Sequence, residues 1–410
     1  MKLESESLER RPLNNADSRP HSGAPALVPL LHSGFILTGV ANTMVGPLLP
    51  LLSSRWHLND AQAGNLFAAQ FLGSMLGVTV SSHLVPRWGA RVALSAGLLM
   101  MAGGAIGIDL VTWTLGLLPL FIVGVGLGLT IPTTNILISE LYAEKRAAAL
   151  SLINLSWGIG AAICPFLVAG AQKTSPRFVF VYGLAVLLLL SVLVLARISF
   201  STLAVSVGSA EKGGASIAVW RSRYIPVLGA LFFLYVGTEA SVGGWIASYA
   251  QRVMPAGTKW VITPSFFWGS LLFGRSITPA VLRYLQESKV SIIGLLAALL
   301  GIMACLATRN PVQLALSTSL AGLGLAAVFP IAIANLSHKF GAAATRVAGL
   351  MFNLAGLGGA TLPWLVGFTS TRLNNLKFGL FVPLAGCTIM LLLTLLLSAW
   401  TASGRRRTLA

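Results

Sequence analysis

Charged side chains are scarce in this chain of 410 residues. Asp, Glu, Lys and Arg make up 10% of it, whereas soluble domains average about 25%. Hydrophobic residues make up 55%, and the mean hydropathy is +0.82. They form long runs such as residues 178–196, and about 20 apolar residues in a helix cross the roughly 30 Å core of a bilayer. The composition therefore excludes a soluble domain and predicts an all-α integral membrane protein whose surroundings are the lipid bilayer.

Cysteine is also rare, and catalytic motifs are missing. Cys164, Cys305 and Cys387 lie in apolar runs without CxxC spacing, which disfavours a disulfide framework or a zinc site and predicts small packing side chains. The sequence has no HExxH, nucleophile-elbow or phosphate-loop motif. We therefore expect no enzyme activity, no metal and no cofactor, and ATP hydrolysis is excluded as the source of energy.

Twelve apolar runs are predicted to cross the membrane, and we number them spans 1–12. Spans 1–6 are predicted at residues 27–52, 61–85, 89–108, 112–139, 145–170 and 176–199. Spans 7–12 are predicted at 223–250, 260–284, 287–306, 310–338, 342–370 and 376–400. The predicted domains are a disordered cytoplasmic tail at 1–26, a six-helix bundle at 27–199, a cytoplasmic linker at 200–222, a second six-helix bundle at 223–400 and a basic cytoplasmic tail at 401–410.

The loops carry basic residues unequally. Of the 28 Lys and Arg residues, 19 fall on the side of the predicted N-terminus, 8 fall on the other side, and Arg275 lies within a span. An excess of Lys and Arg marks cytoplasmic loops. We therefore expect both termini in the cytoplasm and a multi-pass protein of the cell's inner (plasma) membrane. The net charge of +17 is then a signal of topology, and no nucleic acid partner is expected.

The two halves of the chain are related by an offset of 198 residues. Under this shift Gly39 and Gly46 of span 1 match Gly237 and Gly244 of span 7. In span 5, "GIGAAICPFLV" matches "GLGGATLPWLV" of span 11, and the glycines and the proline of span 4 match those of span 10. Each half holds six spans, so both repeats enter the membrane in the same direction, as in one large class of transporters.

Four segments carry a resemblance to a known family: "YVGTEASVGGWIASY" in span 7, "FFWGSLLFGR" in span 8, "GLGLAAVFP" in span 10 and "AGLGGATLPWLVG" in span 11. With the repeat, they resemble the major facilitator superfamily, and within it the branch of fucose, galactose and glucose symporters and the sodium-dependent glucose transporter. The resemblance implies two bundles of six helices that transport by alternating access. It also implies uptake of a monosaccharide or similar hydroxylated small molecule, with a proton or sodium ion as an open alternative. We expect a monomer.

The loop between spans 2 and 3 departs from the superfamily pattern. It reads "SHLVPRWGAR", with Pro86 at the usual Asp position and Ala90 at the position of the first Arg that follows the glycine. Arg87, Gly89 and Arg91 remain and are the candidate gating residues of this loop. Arg275, towards the inner end of span 8, is a fourth candidate for gating or for anchoring at the interface.

Glu239 is the carboxylate that lies well inside a predicted span. An unpaired carboxylate is costly in hydrocarbon, so Glu239 is expected to face a water-filled cavity or a partner. The functional interpretation is a cation-coupling site or an acceptor for substrate hydroxyls. The alternatives are a structural pair or a protonated acid in the core.

Amides and aromatic rings near the middle of the spans complete the candidate substrate site. Amides donate and accept hydrogen bonds at once, which suits a ligand rich in hydroxyls, and aromatic faces cover the apolar side of a sugar ring. Each could equally serve helix packing. The candidates are Asn42, Thr43, Gln70, Asn154, Trp157, Glu239, Ser241, Trp245, Trp268 and Asn353.

Two other functions stay open. An efflux carrier for amphipathic, drug-like compounds is the nearer alternative, although polar groups at mid-membrane are numerous for such a carrier. A membrane receptor without transport activity is more distant, because the tails are too short to supply a soluble sensor domain.

Overall fold

The structure is a computed structural model, and it describes residues 24–174, 179–198, 217–255 and 259–408. Most of the predicted tail at 1–26 and of the predicted linker at 200–222 lies outside these residues. So do the side chains of the predicted basic tail. The described chain is helical, and it contains no strand in these ranges.

Fifteen α-helices make up the described chain. They are α1 Ala24–Thr43, α2 Val45–Trp56, α3 Asp60–Leu110, α4 Leu117–Leu141, α5 Arg146–Thr174, α6 Val179–Arg197, α7 Ile217–Trp220, α8 Tyr224–Val253, α9 Thr263–Val281, α10 Glu287–Ala307, α11 Pro311–Leu325, α12 Val328–Phe340, α13 Ala344–Arg372, α14 Leu376–Gly379 and α15 Phe381–Thr408. Span 1 is α1 with α2, spans 2 and 3 form α3, and span 10 is α11 with α12. Spans 7, 8, 9 and 11 are α8, α9, α10 and α13, and α14 with α15 makes span 12.

Several boundaries differ from the predicted ones. Helix α1 begins at Ala24, inside the predicted tail, and α15 continues to Thr408, inside the predicted basic tail. The short helix α7 lies in the predicted linker. Ten segments of the described chain are long and apolar enough to cross a membrane, and α3, with its 51 residues, is one of them. Helix α9 is not among the ten; it carries Arg275 and several hydroxyl side chains, and it packs against α5, α8 and α11.

Two helix breaks follow from proline. Proline has no N–H, so it cannot bond to the carbonyl four residues earlier. Pro47 removes the bond to Thr43, where α1 ends, and Pro330 removes the bond to Ala326, just after α11 ends. The two prolines are not equivalent under the offset of 198 residues.

Gly89, with φ at +82°, makes the turn between spans 2 and 3 within α3. Glycine adopts this positive φ without steric cost.

The glycines repeated in the two halves make equivalent contacts between helices. Gly39 of α1 lies against the backbone of Trp157 in α5, and its counterpart Gly237 of α8 lies against the backbone of Gly358 in α13. Gly160 of α5 in turn lies against the backbone of Ile36 in α1. Span 1 thus packs on span 5 as span 7 packs on span 11, because small residues allow two helix backbones to approach. The offset of 198 residues therefore relates two bundles with the same internal packing.

The two bundles meet along three helix pairs: α3 with α13, α5 with α9, and α2 with α8. We call the end of the molecule at which α3 begins, at Asp60, the distal end. The opposite end, where α1 begins and α15 ends, is the terminal end.

Candidate functional site

Asp60 joins the two bundles at the distal end. Arg252 of α8 donates to both carboxylate oxygens of Asp60, at 2.8 and 2.5 Å. The Ser370 hydroxyl of α13 donates to the same carboxylate at 2.5 Å. Beside them, the backbone N–H of Ala61 donates to the Thr371 hydroxyl at 2.8 Å. We call Asp60, Arg252, Ser370 and Thr371 the distal latch. The latch is not predictable from the sequence, because no local pattern indicates which helix ends meet.

Beneath the latch, tight packing closes the space between the bundles. A methyl group added at Gly46 of α2 would lie 2.7 Å from the Gly243 carbonyl oxygen of α8, so these two backbones nearly touch. The rings of Phe67 and Trp245 lie with their centroids 5.9 Å apart across the same interface. These contacts leave the bundles joined at the distal end.

Trp245, a predicted substrate residue, is part of this closure. Its side chain is fully buried, and its indole N–H donates to the Pro363 carbonyl at 2.9 Å. Trp245 therefore joins α8 to α13 in this conformation. A helical position in the sequence cannot indicate this, since it does not show which face of the helix is covered.

Polar groups lie within about one helix turn of this contact, on its terminal side. Span 1 and α8 both run towards the distal end. Asn42 of α1 precedes Gly46 by four residues, and Glu239 of α8 precedes Gly243 by four, so each lies about 6 Å before the Gly46–Gly243 contact. The Gln70 amide of α3 donates to the Asn42 backbone carbonyl at 2.8 Å and approaches its side-chain oxygen at 3.3 Å. Spans 1 and 2 thus bring two of the predicted residues together.

Several buried polar atoms in this region have no hydrogen-bond partner in the described residues. They are Oε1 of Gln70, Oγ of Ser241, Nε1 of Trp268 and Nε of Arg275. A buried polar atom left unpaired costs about 1–3 kcal/mol, so such atoms are rare unless a ligand or water meets them. We call Asn42, Gln70, Ser241 and Trp268 the polar layer.

Trp268 also forms an aromatic contact between the bundles. Its ring lies against Gly243 of α8, and the Trp157 ring of α5 meets it edge-on with centroids 5.9 Å apart. Trp157 belongs to the first bundle and Trp268 to the second. Two residues that were predicted separately as candidates thus lie in contact at the bundle interface, and their role in a substrate site stays a prediction.

Glu239 has a cationic partner that the sequence analysis did not assign. Arg275 of α9 donates to the Glu239 carboxylate at 3.1 Å and to the Tyr235 hydroxyl at 2.9 Å. The Arg275 side chain keeps 29% of its surface exposed, against 11% for Glu239. Arg275 was predicted near the inner end of span 8, as a gate or an anchor. Its side chain reaches the middle of α8, where it pairs with Glu239, and a gating role for Arg275 stays a prediction.

An aromatic cluster lies on the terminal side of this pair. Phe329 of α12 stacks on Tyr235 with centroids 5.2 Å apart, and it also contacts Phe232 and Phe352. Phe352 of α13 keeps 51% of its surface exposed. None of these four residues was predicted as a site residue. The signal was weak, because apolar rings in apolar spans are indistinguishable from ordinary core residues.

Three other predicted residues bond within their own helices. The Thr43 hydroxyl and the amides of Asn154 and Asn353 each donate to a carbonyl one turn earlier, at 3.0, 2.7 and 2.9 Å. Thr43 is buried, whereas Asn154 and Asn353 are exposed. Their place in a substrate site stays a prediction.

The loop between spans 2 and 3 makes one bond to span 6. Arg91 donates to the Ala196 carbonyl at the end of α6, within the first bundle. Arg87 is exposed and has no ion pair or hydrogen bond to the described residues. A gating role for Arg87, Gly89 and Arg91 stays a prediction.

Comparisons with known proteins agree on one family. The family model described as the Major Facilitator Superfamily matches residues 31–363. The glucose/mannose transporter GlcP of Bacillus subtilis (strain 168) is 24% identical, with 86% of this chain and 90% of GlcP covered. The sodium-dependent glucose transporter 1A of Mus musculus is 22% identical, with 86% and 91% covered.

Solved structures share the fold. The D-xylose-proton symporter superimposes with a TM-score of 0.76 at 15% identity, covering 91% of this chain and 97% of the symporter. FucP in the outward conformation gives 0.60 at 20% identity, covering 90% and 97%. At these identities the likeness concerns the fold alone.

Proposed function

Because the chain belongs to the Major Facilitator Superfamily, we propose that it is a secondary transporter that takes up a monosaccharide or a similarly hydroxylated small molecule by alternating access. The terminal end faces the cytoplasm, in keeping with the basic residues of its loops. The distal end then faces outwards. With the distal latch joined, the described conformation is closed towards the outside.

The observation that carries the proposal is the polar layer next to the bundle interface. Gln70, Ser241 and Trp268 each offer a buried atom without a partner, and together these atoms include donors and acceptors. Sugar hydroxyls also donate and accept. A hydroxylated substrate can form hydrogen bonds to these atoms and so offset their desolvation, which an apolar substrate cannot do.

The position of the layer agrees with alternating access. It begins at Gly243, against which Trp268 lies, and extends about one helix turn towards the terminal end, to Asn42, near the middle of the spans. Carriers of this class bind substrate near the bilayer midplane between the two repeats. Opening of the latch, with closure at the terminal end, would expose the same layer to the outside.

Aromatic rings supply the apolar contact that a sugar ring needs. Trp157 and Trp268 meet edge-on at the bundle interface, so a ring held between the bundles can lie against one indole face. The named sugar relatives, the glucose/mannose transporter and the sodium-dependent glucose transporter, support the same class of substrate for this chain.

Coupling to a proton or a sodium ion would act through Glu239. In this conformation the guanidinium of Arg275 neutralises the carboxylate. A proton or sodium ion on Glu239 would take over that role and release Arg275 to water on the terminal side. A cation and Arg275 then compete for one carboxylate, which links the ion to the arrangement of α8 and α9.

Uptake into proteoliposomes tests the proposal. The purified protein is presented with a panel of labelled monosaccharides, with no gradient and with imposed proton or sodium gradients. We expect saturable uptake of at least one monosaccharide that empty liposomes lack. Transport of amphipathic compounds without transport of any sugar would favour the efflux alternative and contradict the proposal.

A further inference from the structure

A cavity lies inside the C-terminal bundle, away from the polar layer. It has a volume of about 690 Å³, and it opens among α8, α10, α12 and α15 at the terminal end. Its wall includes the buried side chains of Leu228, Leu231, Val328 and Ile331. The size is that of a pocket for a small organic ligand.

Two cations held by aromatic rings lie at the cavity: Lys339 belongs to its lining, and Arg223 lies beside Tyr224, which also lines it. Lys339 lies 4.6 Å from the centre of the Tyr224 ring, and Arg223 lies 4.5 Å from the Trp400 ring. The two rings meet edge-on at 5.5 Å. Neither cation forms an ion pair with any described residue. Positive charge is thus held beside a cavity with a partly apolar wall, without a directly paired carboxylate among the described residues.

A carboxylate moderates this charge. Glu287, the first residue of α10, also lines the cavity. Lys339 and Arg223 with Glu287 leave an excess of about one positive charge, counting His338 as neutral. One negative charge balances that excess better than a multiply charged phosphate would.

We propose that this cavity binds one phospholipid whose headgroup has a net charge of −1, carried by its phosphodiester and not offset by a headgroup cation. The phosphate lies between Lys339 and Arg223, and part of an acyl chain lies along the wall formed by Leu228, Leu231, Val328 and Ile331. Basic pockets between membrane helices at the cytoplasmic face are suited to anionic headgroups. Trp400 and Tyr224 lie where aromatic residues meet the headgroup region. The proposal does not depend on which substrate the polar layer binds.

Native mass spectrometry of the delipidated full-length protein tests the headgroup. Phosphatidylglycerol and phosphatidylcholine of the same acyl length are offered in equal amounts. We expect one tightly held phosphatidylglycerol in the wild type, with preference over phosphatidylcholine. Each basic residue near a membrane surface contributes about fivefold, so Arg223→Gln with Lys339→Gln should weaken binding about 25-fold. Both side chains are exposed, so these variants are expected to fold.

Arg372→Gln is the matched control. Arg372 lies 5.3 Å from the Phe368 ring at the distal end, which is the same kind of contact without this cavity. It should leave the tight binding event unchanged. Equal retention of the two lipids, or no loss in the Arg223 and Lys339 variant, would overturn the proposal.

Glycerophosphoglycerol, which keeps the singly charged phosphodiester headgroup but has no acyl chain, distinguishes a lipid from a free anion. We expect it not to displace the bound phosphatidylglycerol at concentrations at which a second phosphatidylglycerol exchanges with it. Displacement by glycerophosphoglycerol at equal concentration would show a simple anion site and overturn the lipid assignment.

Discussion

Arg275 of α9 donates to the carboxylate of Glu239 in α8 at 3.1 Å, near the middle of the membrane-spanning region. The pair places two opposite charges beside the polar layer, and together they carry no net charge. Removal of one partner of a buried pair leaves the other uncompensated, which is more harmful than removal of both. This asymmetry makes the role of the pair testable.

Stability should depend on charge balance at this pair. We expect Glu239→Gln and Arg275→Gln each to destabilise the protein by about 3 kcal/mol, the low end for a buried pair, because Arg275 keeps part of its surface in water. The double variant should recover much of that loss. Thermal unfolding in detergent measures all three. Additive losses in the double variant would show that the two side chains do not interact.

Coupling should be lost without Glu239. Glu239→Gln keeps the shape and the hydrogen bonding of the side chain but removes its charge. We expect substrate exchange at equal concentrations to continue while accumulation driven by a proton or sodium gradient stops. The double variant with Arg275→Gln is the second measurement, should the single variant fold poorly. Undiminished accumulation in either variant would exclude a coupling role for Glu239.

Asp60→Asn should open the distal end. The latch loses its charged acceptor for Arg252, and bonds to charged groups contribute about 1.5–3 kcal/mol, so the outward-open population should rise about tenfold or more. Spin labels on Ser54→Cys and Leu373→Cys, both exposed at the distal end of different bundles, report the distance. The three native cysteines are buried and should not take up label.

Asp109→Asn is the matched control for the latch. Asp109 also lies at the distal end and accepts from an arginine, Arg55, but both belong to the first bundle. Its loss should leave the distance between the labels unchanged. The same lengthening in both variants would mean that Asp60 has no particular role in joining the bundles.

The repeated glycine contacts should be equally intolerant of a methyl group. Gly39→Ala and Gly237→Ala each push a Cβ against the backbone of the partner helix, and overpacking costs about 1–3 kcal/mol. Gly183→Ala, with open space around the added methyl, should be neutral. Unfolding temperatures compare the three. A neutral Gly237→Ala beside a harmful Gly39→Ala would contradict equivalent packing in the two bundles.

Features set by local chemistry were predictable from the sequence. Proline at 47 and 330 removes a helix hydrogen bond where a helix breaks, although α4 continues through Pro132, the counterpart of Pro330. Glycine at 39 and 237 permits close packing in both halves. The membrane fold and the internal repeat follow from such patterns. The structure also brings Asn42 beside Gln70 and Trp157 beside Trp268, and their binding of substrate stays a prediction.

Features set by contacts between distant helices were not predictable. The pairing of Arg275 with Glu239 depends on how far one side chain reaches across two helices. The bond of Trp245 to Pro363 depends on the rotation of α8 about its axis. Asp60 and Arg252 are 192 residues apart, and nothing in the spacing of charges in the loops indicates their contact.

The affinity of the purified protein for its sugar, in wild type and in Gln70→Ala, tests the central claim that the polar layer binds substrate. Titration calorimetry with the monosaccharide selected by the uptake panel measures it. Loss of a hydrogen bond to a buried hydroxyl costs about 1–3 kcal/mol, so binding should weaken roughly 5- to 150-fold. Gln313 lies at the distal end, where its side-chain oxygen accepts a hydrogen bond from the Thr308 hydroxyl. The control variant Gln313→Ala should bind the sugar as the wild type does. Equal affinity in Gln70→Ala and the wild type would contradict the account.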